Sequence, residues 1–227
     1  MIGARAAFLA AGLALVAGCG SDTGQTEKAQ IAGGVVRGVV ATLMPGKTKA
    51  APVDTEAMAR SALASNRGPL ILATLEAQGL TTVLGLSGQN GAMRSYMTPN
   101  QQGLILRDGM LAGTRGLGHD LMSSELAAVT ALVRGRRAGS ADKLHRYLDG
   151  EGIERPLPLR CTVTLGANQA FEIAGTPHNG QQVKEACTGS GLRFDNNYVV
   201  NGAGYIVLSR QWIGPQLGHV TIQTLRP

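Results

Sequence analysis

A chain of 227 residues with 44% apolar and only 16% charged residues can bury a sizeable core, which excludes a disordered chain. Few charges together with 32 glycines fit a turn-rich β protein better than a helical bundle. The net charge of +6 comes with just eight aromatic residues (one Trp, four Tyr, three Phe), too few to interleave with basic residues as single-strand or RNA binders require, so nucleic acid is excluded as a partner.

The N-terminus carries a processing signal. Arg5 is a positive n-region, and the apolar run from Ala6 to Leu15 is too short to span a bilayer but long enough for a signal-peptide core. The run ends in Leu15-Val16-Ala17-Gly18-Cys19, which resembles the bacterial lipobox. That resemblance implies cleavage after residue 18 and attachment of fatty acyl chains such as palmitate to Cys19, leaving a mature charge near +5 without Arg5. No second apolar run reaches spanning length, so the mature protein is expected to be anchored to a membrane without crossing it. Residue 20 is Gly rather than the Asp that resembles an inner-membrane retention signal, which points to the outer membrane and a periplasm-facing domain. Residues 19–32 have no periodicity and read as a flexible tether, and 33–227 read as a single mostly-β domain.

Within that domain, Val35–Leu43 suits a strand or a short helix, and Lys47–Val53 is a loop. Asp54-Thr55 caps a short helix through Ala64, with Met58, Ala62 and Leu63 on one face. Leu70–Glu76 is a buried strand, and Leu80–Ser87 alternates with Leu80, Leu84 and Leu86 on one side. Gly88-Gln89-Asn90-Gly91 predicts a hairpin centred on Asn90-Gly91, followed by a strand Ala92–Thr98 and a turn Thr98–Gln102. Leu104–Leu106 and Met110–Ala112 form a second hairpin around Arg107-Asp108-Gly109. Such an antiparallel meander excludes a doubly wound parallel sheet. Ser123 or Ser124 is expected to cap a helix through about Val133, with Leu126, Val129, Leu132 and Val133 as its apolar face. Ser140–Leu148 is favoured as a strand because Asp149-Gly150 is a turn. Cys161–Leu165, Phe171–Ala174, Val183–Cys187, Tyr198–Val200, Tyr205–Arg210 and His219–Leu225 complete about a dozen short strands. The fold class is therefore mainly β, an antiparallel meander curled into a barrel or half-barrel to hide its edges, with a few short helices.

Chemistry-bearing residues are scattered. His119 and Asp120 are adjacent and precede Ser123 and Ser124, an arrangement that suits capping better than a triad, and there is no GxSxG elbow. The four histidines (His119, His145, His178, His219) lack metal-ligand spacing and read as surface or strand residues. Glu125, Asp142, Asp149, Glu151, Glu154 and Glu172 offer candidate carboxylates, with nothing to single out a glycosidase pair. No catalytic residue, metal site or cofactor is assigned. With Cys19 taken by lipid, an oxidising periplasm favours a Cys161–Cys187 disulfide, two free buried thiols being the alternative. Arg134-Gly135-Arg136-Arg137 is the one tight basic cluster. In Gly113-Thr114-Arg115-Gly116-Leu117-Gly118-His119-Asp120, the glycines imply unusual φ/ψ or a close approach by another chain segment. Arg115 either pairs a buried carboxylate, with Asp120 the candidate, or meets an acidic sugar or a partner's carboxylate. Thr114, Arg115, Gly116, Gly118 and Asp120 thus form a candidate binding loop. Trp212, the sole tryptophan, reads as core in preference to a sugar-stacking platform.

The block from Asp108 to Met122, DGMLAGTRGLGHDLM, resembles the signature of the YjbF/GfcB-type lipoproteins of group 4 capsule and exopolysaccharide systems. Supporting it are the lipobox at Cys19, Arg67-Gly68-Pro69, Gly88–Gly91, Cys161, Cys187 and the segment Ser209–Pro215; Tyr96 stands where that family favours tryptophan. The resemblance implies an outer-membrane lipoprotein facing the periplasm, with polysaccharide-secretion proteins as partners, a largely antiparallel β fold, and no known catalysis or cofactor. An anionic polysaccharide is a candidate ligand. Two rivals stand beside this reading. A lipid or acyl-glycan carrier would need a large apolar cavity, and a polysaccharide-modifying enzyme would need two convergent carboxylates or a Ser–His pair in a cleft.

Overall fold

The computed structural model describes residues 54–227. The expected signal peptide 1–18, Cys19, the tether 19–32, and the segments Val35–Leu43 and Lys47–Val53 lie outside the described residues. Helix α1 spans Thr55–Ser65, and the Asp54 carboxylate accepts from the Ala57 amide at 2.9 Å, as the N-cap signal predicts. Five strands follow as a meander: β1 Leu70–Leu75, β2 Leu80–Asn90, β3 Met93–Met97, β4 Gly103–Arg107 and β5 Met110–Arg115. After a short strand β6 (Ser123–Glu125) and helix α2 (Ala127–Arg134) come β7 Gly139–Leu148, β8 Glu154–Ile173, β9 Thr176–Gly189, β10 Leu192–Val200, β11 Ile206–Gly214 and β12 Gly218–Arg226.

The strands form one twelve-stranded sheet in the order β5-β4-β3-β2-β1-β12-β11-β10-β9-β8-β7-β6, with every ladder antiparallel. Paired strands are consecutive in sequence except at β1–β12, where the first strand joins the last. The sheet curls into a nearly closed barrel. Its two terminal strands, β5 and β6, are consecutive in sequence, and the segment between them fills the seam. The Thr114 amide donates to the Leu121 carbonyl at 2.8 Å, and the Met122 amide donates to the Arg146 carbonyl on β7 at 2.9 Å. Gly113 permits this approach, since a Cβ there would stand 3.2 Å from the Leu121 carbonyl oxygen. The other half of the β5 edge is met by a side chain. Gln211, on β11 and 2% exposed, accepts from the Leu111 amide at 2.7 Å and donates to the Gly109 carbonyl at 3.0 Å.

Inside, one apolar cluster joins β1, β2, β4 and β12 through Ile71, Leu84, Leu104 and Ile222. A second joins β7–β11 through Leu159, Val163, Val183 and Tyr198. Helix α2 packs Leu126, Val129 and Val133 into that second cluster, as its apolar face predicts. The Arg134–Arg136 cluster has a structural use: Arg134 pairs with Asp108 at 2.8 Å and donates to the Gly204 carbonyl, while Arg136 donates to the Gly202 carbonyl. Trp212 stacks on Phe194 with ring centroids 4.1 Å apart, a core residue as expected. Cys161 and Cys187 face each other across β8–β9 and form the predicted disulfide.

Several local expectations are corrected. The first hairpin turns on Gly91-Ala92, since Asn90 still pairs with Met93, and only Gly91 has positive φ, the mark of a II′ turn. The second hairpin does turn on Asp108-Gly109, both at positive φ. Ser123 and Ser124 lie on β6 and cap nothing; the α2 N-cap is Leu126, without a side-chain bond. Leu80 shares the face of Leu84 on β2, as expected, but is exposed at the strand's end and not buried with it. The separate strands expected around Cys161, Phe171 and Val183 are two long ones joined at Ala174-Gly175.

Replacing Gln211 with leucine keeps its bulk but leaves the Leu111 amide and the Gly109 carbonyl without partners. An unfolding free energy lower by about 2–4 kcal/mol is expected from urea titration. A loss below about 0.5 kcal/mol would mean that Gln211 does not satisfy the β5 edge.

Candidate functional site

The loop after β5 folds around one carboxylate. Asp120 accepts from the Thr114 hydroxyl at 2.7 Å, the Gly116 amide at 2.9 Å and the Leu117 amide at 3.2 Å. The same hydroxyl accepts from the Leu121 amide at 2.9 Å, so Thr114, fully buried, locks both ends of the loop. Gly116 stands at φ +70°, where a Cβ would meet the Gln101 carbonyl at 3.1 Å, and Gln102 donates to the Gly116 carbonyl at 3.0 Å. Gly118 also has positive φ but open space beside it. Asp120 is therefore the centre of the loop, but it does not pair with Arg115 as expected. The Arg115 guanidinium donates to the Thr114 carbonyl at 2.7 Å and is otherwise exposed. Of the candidate binding residues, Thr114, Gly116 and Asp120 build the loop, while Arg115 and Gly118 lie on its outside.

A second polar group lies in the interior. Lys143 on β7 and Glu185 on β9 form a buried ion pair at 3.0 Å. Glu185 also accepts from Asn196 at 2.7 Å and from the Tyr198 hydroxyl at 2.6 Å, and Asn196 in turn accepts from the Trp212 amide. Burial alone would raise the Glu185 carboxyl, but the Lys143 charge and the bonds from Asn196, Tyr198 and Lys143 outweigh it and hold the group below its ordinary value. Burial, and then the Glu185 charge, push the Tyr198 phenol well up, so it stays a neutral donor. Cys161, Glu185 and Cys187 converge as three potential metal ligands, but the two sulfurs are joined to each other.

Beside this group, the Ser124 hydroxyl bonds His145 Nδ1, from directly opposed positions on β6 and β7. The ring is 1% exposed, and its Nε2 is buried without a partner. A serine–histidine dyad for acyl transfer needs the second ring nitrogen held by an orienting group and a route for substrate. Here that nitrogen has no partner among the described residues, and the ring stacks near Trp212, with centroids 6.2 Å apart. Burial and the Lys143 charge hold His145 well below its ordinary pKa, so it remains neutral.

Two of the expected carboxylates converge, but on a partly exposed arginine and not in a cleft. Glu125 and Glu154 both pair with Arg146, Asp149 with Arg155, and Asp142 with Arg160. Lys143, Glu185, Asn196 and Gln211 escaped notice in the sequence, and His145 reads there only as a surface or strand residue, although Lys143, His145, Glu185 and Asn196 occupy inward phases of alternating strands, such as Val183-x-Glu185-x-Cys187.

Because His145 is uncharged in the folded protein but ordinary when unfolded, its stabilising contribution is complete above pH 6.5 and is lost as pH falls below that value. His219, also lowered by burial, adds a smaller slope in the same direction. The variant His145→Asn keeps a partner for Ser124 and removes the titration. Its urea midpoint is expected to fall less steeply between pH 6.5 and 5.0 than that of the wild type. Parallel profiles would remove His145 as the cause.

No curated protein matches the sequence. Among solved structures, the hypothetical lipoprotein YmcC of Escherichia coli K12 superposes with a TM-score of 0.66 at 16% identity, over 74% of this chain and 89% of its own. That likeness is one of fold. A Bacteroides fragilis protein described as exported and YmcC-like in fold aligns over 71% of this chain and 96% of its own, at 9% identity and a TM-score of 0.30. The family model for group 4 capsule polysaccharide lipoprotein GfcB, YjbF, matches residues 36–225, which take in the Asp120-centred loop, the buried polar group and the disulfide. The chain belongs to this YjbF/GfcB family of capsule polysaccharide lipoproteins.

Proposed function

We propose that the protein is an outer-membrane lipoprotein, acylated at Cys19 and facing the periplasm, that assists capsule or exopolysaccharide export or assembly through non-catalytic contacts with protein or glycan. The observation that carries this reading beyond the family is a barrel interior already occupied. Helix α2, the Trp212–Phe194 stack and the Lys143–Glu185 pair fill it with groups that serve one another. A lipid carrier would use an apolar cavity there, and an enzyme would use the Ser124–His145 contact, which is sealed from solvent at the ring. Contacts then fall to the outer face and the loop ends, where Arg115 is exposed. A chain fixed by acyl groups at residue 19 would present that surface to secretion partners from the membrane plane.

The test is surface polysaccharide in a deletion strain complemented with wild type, Cys19→Ser or Arg115→Ala. Deletion is expected to abolish the polymer and wild type to restore it, while Cys19→Ser fails although present and folded. Arg115→Ala is expected to reduce polymer several-fold with an unchanged thermal midpoint, because its one described bond is to a carbonyl next in sequence. Polymer levels indifferent to deletion would detach the protein from secretion.

A further inference from the structure

The β8–β9 hairpin outruns its neighbours and bends. On one side β7 ends opposite Val163, and on the other β10 ends opposite Gln181. Between these points the β8–β9 ladder breaks, from Leu165 to Asn168, where Gly166 and Ala167 form a bulge. Gln182 donates to Gln169 at 2.7 Å and Gln181 to the Gly166 carbonyl at 3.3 Å, which braces the bend. Gly180 lets it pass close to β10, since a Cβ there would stand 2.7 Å from the Val200 carbonyl oxygen. Below the bend, on the outer face of β8–β12, lies an open hollow of about 560 Å³.

The lining is chemically one-sided. Gln169, Gln182 and Asn197 supply amides and Lys184 and Arg210 supply cations; among the described residues the lining itself holds no carboxylate, although Asp195 and Glu76 bond those two cations. Leu165, 42% exposed, and Leu208 form a small aliphatic floor. Both cations are ion-paired. Lys184 sits 2.7 Å from Asp195, and Arg210 grips Glu76 through Nε and Nη2 at 2.8 to 3.0 Å. Arg210 Nη1 and two of the three Lys184 N–H groups have no partner among the described residues, nor does the Asn197 amide.

The geometry points to a binding site for a polysaccharide repeat bearing a carboxylate, such as a uronic acid, with the carboxylate between Lys184 and Arg210 and ring hydroxyls on Gln182 and Asn197. It rests on the proposed role in polysaccharide export and names the ligand class for it. A guanidinium and an ammonium held in place suit a planar carboxylate, and amides that both donate and accept suit vicinal hydroxyls. A docked peptide would call for aromatic or several aliphatic anchors, whereas this floor offers one exposed leucine.

Isothermal titration of the full chain, purified from membranes in detergent, would use octagalacturonate, maltooctaose and a hexaglutamate peptide as probes. Octagalacturonate is expected to bind at least tenfold more tightly than either of the others. The double variant Lys184→Gln/Asn197→Ala leaves the Arg210–Glu76 bridge intact and is expected to weaken octagalacturonate at least tenfold, with Arg107→Gln, on the Asp108-Gly109 turn, unchanged. No binding, equal binding by the double variant, or hexaglutamate binding as tightly as octagalacturonate would each overturn the assignment, the last by reducing it to charge alone. These outcomes are independent of cellular polymer levels. Failure at this site leaves the complementation result standing, and a deletion strain with normal polymer leaves the binding result standing.

Discussion

A twelve-stranded antiparallel sheet has two open edges, and unpaired edges invite association with other strands. Here both edges meet at one seam, and the segment that joins them in sequence also joins them in space. The Gly113 close approach, the Leu121 carbonyl and the Met122 amide carry the ladder across from β5 to β7. Asp120 folds the intervening residues into a ring, so the seam does not depend on a long ordered loop. Where the ladder runs out, the Gln211 side chain substitutes for a strand. The signature block is thus first a closure device. Thr114, Gly116 and Asp120 are fixed by what the barrel needs, whereas Arg115, Gly118 and His119 are exposed on the outside of the loop.

The interior shows a related economy. A buried ion pair gains little net stability, because desolvation of both charges offsets their attraction. Glu185, however, accepts from three side chains on β7 and β10, and Asn196 passes the network on to β11. A slip of one residue in any of these ladders would carry a charge or an amide to the wrong face. The network therefore acts on register across four strands, beside a disulfide that fixes β8 against β9. It also takes up the space a ligand would need.

How much of this was legible in the sequence follows from the range of the interactions. Asp54 capping α1, the Asp108-Gly109 turn and the apolar face of α2 are local, and each was visible in a few consecutive residues. The Asn90-Gly91 turn misled by one residue because a bulge between Leu86 and Gly88 shifts the β2–β3 register, which no local propensity reveals. Ser123 and Ser124 had cap chemistry, but β7 was there to recruit them as a strand. Asp120 was recognised as important and given the wrong partner: backbone amides of its own loop satisfied it before Arg115 could. Gln211 and Glu185 act across separations of 100 and 42 residues, beyond the reach of periodicity. Even so, a charge in the inward phase between Val183 and Cys187 was a detectable anomaly.

These constraints partition the molecule. The inner face is committed to register and packing, and the seam is committed to closure, so variation that changes recognition without unfolding the barrel is confined to outward positions. The outer face is not uniform: most of its carboxylates are each matched to an arginine, as at Asp142–Arg160 and Asp149–Arg155. Below the bent part of the β8–β9 hairpin, Glu76 pairs with Arg210 and Asp195 with Lys184, and both cations keep N–H groups without a partner among the described residues. A bulge that merely relieved strand curvature would not require such pairing, since exposed ion pairs contribute little to stability. The bend and the paired cations together make sense as a built surface, on strands of the barrel away from its closing seam.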